Sequence, residues 1–331
     1  MNKKKSYAIL LFLILTQVIV SLARVPSNGS INPPNILFVF SDDHAWQSIG
    51  AYGGRLKEVA HTPHIDKLAS EGMLFRKCFV ANALCGPSRA AVLTGKYGHR
   101  NGVTWNKNTN FDGSQQTFPK MMRKNGYQTA IIGKWHLASV PTGFDYFDVM
   151  KGQGRYYNPF LQRGNAEGLQ DTRTVVGYNS DIVGDLTIEW LKNGRDKSKP
   201  FMLMSQFKAT HHGFCPGPDE YDLYDDIHIP EPDNLFDDFS YRGTAIREQT
   251  LTLYKNLSHS ILVGDPGELG KLNPDQRKAW DAYRSKFSKP FQAMNLNWND
   301  QNRELSRFKY QALLKNFLAS GAGIDKNVGR I

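Results

Sequence analysis

Ile36-Leu37-Phe38-Val39-Phe40-Ser41-Asp42-Asp43-His44 is the stretch that decides the fold. Five consecutive apolar residues are consistent with a short strand buried on both faces. The run stops at a hydroxyl, two carboxylates and an imidazole. The same figure returns twice. Thr129-Ala130-Ile131-Ile132-Gly133 runs into Lys134-Trp135-His136, and Phe201 to Phe207 runs into Lys208-Ala209-Thr210-His211-His212. Helical segments lie between. Thr62 is placed as an N-cap with Pro63 at the first helical position, Ile65, Leu68 and Ala69 recur at helical spacing, and Gly72 ends the segment. Phe118 to Lys124 is stopped by Asn125-Gly126. Ser180 to Leu191 carries Ile182, Val183, Leu186 and Trp190 on one face. Strands alternating with helices predict an α/β fold, a mainly parallel sheet flanked by helices. Ligands of such sheets bind at the carboxyl ends of the strands, so the three polar strand ends predict the site.

Other segments are read more coarsely. Phe75 to Val80 is expected to be a further strand. Residues 213–302, rich in Asp, Pro, Gly and aromatics, are expected to be an excursion with short helices that shapes a cleft. Residues 303–331 return to helical character, with Phe308, Leu313, Phe317 and Ile324 among charged residues. Residues 1–23 are expected to be a signal peptide: Lys3, Lys4 and Lys5 precede an apolar run, and Ser21-Leu22-Ala23 offers a cleavage site. Residues 24–34 then form a linker. The chain is expected to be exported, periplasmic or secreted, with no stable membrane anchor after cleavage.

Composition is that of a globular protein, 40% hydrophobic and 22% charged over 331 residues. The net charge of +10 falls by three when residues 1–23 are removed. An excess of positive charge favours anionic partners, although spread over so long a chain it is also compatible with no steering at all. Nucleic acid fits poorly with export, and no nucleic-acid motif is present. An exported chain permits disulfides, and Cys78 and Cys215 remain as a possible pair if Cys85 has another use.

Cys85-Gly86-Pro87-Ser88-Arg89 is followed by Ala90-Ala91-Val92-Leu93-Thr94-Gly95-Lys96-Tyr97. Pro87 to Thr94 reads as the start of a helix, which puts Cys85 just before its N-terminus, where backbone N–H groups favour negative charge. Taken singly, the residues have plain structural readings: a buried Cys, a surface Arg, a strand-end Asp pair. Taken as strings, Cys85 to Tyr97 and Gly126 to Leu137 resemble the two signatures of the type I sulfatases. The resemblance implies an alkaline-phosphatase-like fold. It also implies oxidation of Cys85 to formylglycine by a maturation enzyme that reads Pro87 and Arg89.

Several roles come with the resemblance. Asp42 and Asp43 match the paired aspartates that bind Ca²⁺, with the diol of residue 85 as a further ligand. Arg89 would lie against that diol, Lys134 would hold a sulfate oxygen, and His136 would act as the base that regenerates the aldehyde. His211, with His212 as the adjacent alternative, matches the general acid facing the leaving oxygen. The segments at Asp112 to Pro119, Gly152 to Pro159 and Tyr224 to Pro232 look like the bacterial N-acetylglucosamine-6-sulfatase branch. They imply a 6-O-sulfated glucosamine or N-acetylglucosamine in a glycosaminoglycan or mucin glycan. The resemblance covers residues 34–331 and stops before a further strand with the remaining metal ligands and a small C-terminal domain. A truncated, non-catalytic or glycan-binding chain, and a phosphate or phosphonate ester hydrolase of the same superfamily, stay open as alternatives.

Overall fold

The computed structural model describes residues 33–107, 109–253, 257, 259–260 and 264–331. The expected signal peptide, and the expected linker up to residue 32, lie outside the described residues. β1 (Ile36–Phe40), β2 (Gln128–Lys134), β3 (Tyr146–Met150), β4 (Phe160–Asn165), β5 (Gly168–Thr174) and β6 (Phe201–Gln206) form one sheet in the order β1-β6-β2-β3-β4-β5. The pairs β1–β6, β6–β2 and β2–β3 are parallel, while β3–β4 and β4–β5 are antiparallel. The parallel half is the predicted one, but β1, expected to be buried on both faces, lies at the sheet edge with Ile36 and Leu37 exposed. The antiparallel β4–β5 ribbon was not legible, because β5 faces solvent along most of its length and shows no apolar alternation.

Alternation along the central strands sorts their side chains onto two faces. Ala130, Ile132 and Leu203 point into one core cluster, and Ile131, Met202 and Met204 into another. Each buried Ile, Leu or Met here contributes about 1.5–3 kcal/mol. Of the helices α1 (Pro63–Glu71), α2 (Cys85–Thr94), α3 (Phe118–Lys124), α4 (Asn179–Glu189), α5 (Pro274–Ala293) and α6 (Arg303–Arg330), all but α1 divide in the same way. Ala90 and Leu93 of α2 cover the second face. Ile182 and Val183 of α4, Trp280, Tyr283 and Phe287 of α5, and Ala312 and Ile324 of α6 cover the first.

Three local readings change. Phe75 to Val80 is not a strand: none of the named strands pairs with it, and Phe75, Phe79 and Val80 are exposed. A strand needs a neighbour, and an apolar pattern alone does not supply one. Residues 213–302 contain single helical turns but also the 20-residue α5. Its start is a capping box in which Gln276 N donates to Asn273 Oδ1 (2.9 Å) and Asn273 N donates to Gln276 Oε1 (2.9 Å). Cys78 is exposed, Cys215 is buried, and both are free thiols, so the possible disulfide is not formed. No helix among the described residues is long and apolar enough to cross a membrane.

Candidate active site

Because β1, β6 and β2 are parallel neighbours, their carboxyl ends open on the same edge of the sheet, and the three polar strand ends meet there. Phe207 N donates to Phe40 O (2.7 Å) and Asp42 N to Ala209 O (3.0 Å). The Thr210 hydroxyl donates to Asp43 O (3.0 Å). Between β2 and β6 the approach is close: Gly133 has φ +102°, and a Cβ there would sit 2.0 Å from Gln206 O. Only glycine lets β2 and β6 come this close just before Lys134. Asp43 and His136 themselves have φ of 57° and 50°, the left-handed region that non-glycine residues rarely occupy.

The helix α2 delivers Cys85 to the same place. Leu84 is its N-cap, so Cys85 is the first helical residue and the helix starts two residues before the expected Pro87. Ser88 N donates to Leu84 O (2.8 Å) and Gly86 N to Asn106 Oδ1 (3.0 Å), which fixes the entry turn. Cys85 is half-buried and lines a cavity of about 320 Å³ with Asp42, Asp43, His44, Ser88 and Arg89. One ligand atom each from Asp42, Cys85 and His211 lie within 4.8 Å of one another.

Two buried cations hold Asp42. Lys134 Nζ forms an ion pair and hydrogen bond with Oδ2, and Arg89 Nη2 lies 3.7 Å from Oδ1. Arg89 is not a surface residue. It donates to Lys134 O (2.7 Å) and to Gln206 Oε1, and its guanidinium sits over the Phe40 ring at 5.3 Å. One arginine therefore ties the ends of β1, β2 and β6 together.

Charge and burial set the protonation states. Burial would raise the Asp42 carboxyl, but Lys134 and Arg89 outweigh it and hold it below its ordinary value. Asp43, on the exposed side of the cavity, is raised by partial burial and by Asp42 beside it. Burial pushes Lys134 down to about 8, against the pull of Asp42. His136 and His211 are each pushed down to about 4, first by burial and then by Lys134. His44 reaches about 4 through burial alone. All three imidazoles are neutral at pH 7. The Cys85 thiol is raised by burial and by the negative charge of Asp42.

The structure brings Asp42, Cys85, Arg89, Lys134 and His211 together. His136 is buried, feels the charges of Lys134, Arg89 and Asp42, and leaves its Nδ1 without a partner among the described residues. Sequence reasoning gave no role to Gln153, Gln206 or Lys208. Gln153 Oε1 accepts from Lys134 Nζ (2.7 Å), and its carbonyl accepts from Lys208 Nζ (3.4 Å). Lys208 Nζ lies 5.0 Å from the centre of the Tyr156 ring, and the Tyr156 hydroxyl donates to His211 O. Lys208 was visible as a member of the third strand end. Gln153 comes from a loop whose contact with Lys134 no local pattern encodes.

A family model described as Sulfatase matches residues 34–260. The chain is 37% identical over 340 residues to N-acetylglucosamine-6-O-sulfatase of Bacteroides thetaiotaomicron, covering 96% of this chain and 58% of that protein. It is 39% identical over 218 residues to human N-acetylgalactosamine-6-sulfatase, covering 56% of this chain and 41% of the relative. Among solved structures, BT4656 in complex with its substrate D-glucosamine-2-N,6-O-disulfate superposes with a TM-score of 0.78 at 38% identity. That match covers 90% of this chain and 61% of the other. The chain thus spans about three fifths of the length of its bacterial relative and of this solved structure.

Proposed function

The chain belongs to the sulfatase family, with that family's alkaline-phosphatase-like fold, and we propose that its strand-end pocket hydrolyses sulfate esters of a sulfated glycan. The favoured substrate is the 6-O-sulfate of N-acetylglucosamine or glucosamine, the chemistry named for the bacterial relative and for the ligand of the similar structure. The observation that carries this reading is the convergence of Asp42, Cys85 and His211 within 4.8 Å, next to buried Lys134 and Arg89.

Cys85 is a poor nucleophile as it stands. Thiolate chemistry needs a depressed pKa, and this thiol is raised. The proposal therefore takes residue 85 as formylglycine, made by a maturation enzyme. Its position suits an oxygen nucleophile: the first turn of α2 favours negative charge, and the side chain lines the cavity. A hard cation such as Ca²⁺ takes about six to eight oxygen ligands. The carboxylates of Asp42 and Asp43 and an oxygen on residue 85 fit part of that shell, and these residues would hold the ion. When present, the formylglycine hydrate supplies the attacking oxygen and the cation neutralises charge on the sulfate.

The remaining roles fall to the chain's own side chains. Lys134 and Arg89 are fixed cations beside the place where sulfate oxygens would sit, and they stabilise charge without reorganising. The His211 Nδ1 faces the His212 carbonyl at 3.1 Å. A carbonyl only accepts, so the proton is on Nδ1 and the lone pair is on Nε2. An anionic ester offsets the Lys134 and Lys208 charges that depress His211, which lets Nε2 carry a proton to the leaving sugar oxygen. His136, neutral and buried, is the base for the second half of the reaction.

Replacing Cys85 with Ala in the protein matured in its own host tests this reading. Release of sulfate from 6-O-sulfated N-acetylglucosamine should fall to background, and phosphate esters should be turned over poorly by the parent. Retained sulfate release by Cys85→Ala would sink the proposal.

A further inference from the structure

The same three side chains have a second chemistry before residue 85 is modified. Thiolate, imidazole and carboxylate are the ligand types that bind zinc, and three protein ligands with a water in the fourth position make an open zinc site. We propose that, while residue 85 is still cysteine, Asp42, Cys85 and His211 bind a zinc-type divalent cation. The atom at position 85 then selects the metal: sulfur suits a borderline-soft ion, oxygen a hard one. This does not depend on the esterase reading.

Two observations beyond proximity support it. The bond from His211 Nδ1 to the His212 carbonyl (3.1 Å) is the outer hydrogen bond that metal-bound histidines usually make. It fixes the tautomer and leaves the Nε2 lone pair free. Asp42 also keeps an oxygen in reserve, since Lys134 takes Oδ2 while Arg89 stands 3.7 Å from Oδ1. The present spread of up to 4.8 Å exceeds the roughly 3.5 Å between ligands of a tetrahedral ion with bonds of about 2.0–2.3 Å. Side chains must close by about 1 Å, which half-buried Cys85 and His211 can do by small rotations. On binding, the Cys85 S–H bond breaks, its proton passes to solvent and an S–metal bond forms. No electron is transferred. A metal-bound thiolate is no longer a free thiol, so zinc occupancy and oxidation of Cys85 exclude each other.

The experiment uses the full chain produced without the maturation enzyme, with intact mass confirming unmodified Cys85. The exposed Cys78 thiol competes for thiophilic metals, so Cys78→Ser serves as the background. Co²⁺ alone should give four-coordinate visible bands and a near-ultraviolet thiolate-to-cobalt band, and Zn²⁺ should displace it. Cys85→Ser should abolish the thiolate band and weaken zinc binding on the order of 100-fold, and His211→Ala should weaken it about 10-fold or more. Thermal melting without metal checks that each variant is folded. A cobalt spectrum without a thiolate band, or zinc binding by Cys85→Ser as tight as the background, would overturn the inference. Neither result bears on sulfate release by the modified protein.

Discussion

Two of the buried aspartates among the described residues each face two cations, one beyond the end of β1 and one within β3. Asp148 in β3 accepts from Arg163 Nε (3.0 Å), Arg173 Nη2 (2.5 Å) and the Tyr146 hydroxyl (3.3 Å). Asp42 beyond β1 holds Lys134 and Arg89. In the first cluster the carboxylate is fully buried but the arginine side chains reach out, 41% and 26% exposed. In the second, both cations are buried, at 0% and 3%, and the carboxylate borders a cavity. A cluster that vents its charge to solvent serves the fold. One that encloses its charge and opens onto a cavity holds a field ready for an anion, a costly arrangement that is kept where it is used.

The comparison breaks most visibly at Asp42. Asp42→Asn leaves Lys134 and Arg89 buried without their counter-charge and removes an oxygen anion from the proposed metal shell. Sulfate release should fall by about 10²–10³-fold or more. The parallel change Asp148→Asn should leave kcat within about threefold, since the residue lies outside the cavity, but should lower stability by about 2 kcal/mol. A fully enclosed pair would cost about 3–5 kcal/mol on losing one partner. The partly solvated arginines reduce that figure. Denaturant melts and turnover on the same two proteins decide the matter. If Asp148→Asn lost activity as steeply as Asp42→Asn at equal foldedness, the division into a structural and a functional cluster would be wrong.

How much of this was legible follows from what each element needs. The ends of β2 and β6 could be read because a buried parallel strand is a solid apolar run and its polar terminus stands out; β1 shows the same run and polar end although it is an edge strand with Ile36 and Leu37 exposed. Asp42, Lys134 and His211 therefore fall on one sheet edge from the sequence pattern. The β4–β5 ribbon could not be read this way, since its exposed face breaks the apolar pattern. The α5 helix was legible and went unread: Trp280, Tyr283 and Phe287 recur at helical spacing behind the Asn273–Gln276 box. Gln153 and Gln206 were beyond reach. Each meets its cation across a loop or a strand gap, through contacts that exist only once the sheet has formed.

The smallest expected effect sharpens the same contrast through pH. His44, His136 and His211 all lie at the cavity end and are all held at about 4, against 6.5 for a free imidazole. Between those values the unfolded chain binds protons that the folded chain refuses, so stability rises with pH across this window and falls as pH drops from 6.5 toward 4. These imidazoles therefore lower the melting temperature on acidification, and the raised carboxyls of Asp43, Glu220, Glu268 and Asp325 act in the opposite sense. His44 isolates the effect, because burial alone depresses it and among the described residues its ring bonds through Nδ1 to the Ser41 hydroxyl at 3.3 Å. His44→Gln removes one of these refused protons and should flatten the slope. An unchanged slope in that variant would mean that the acid sensitivity belongs to some other part of the molecule than the enclosed cluster.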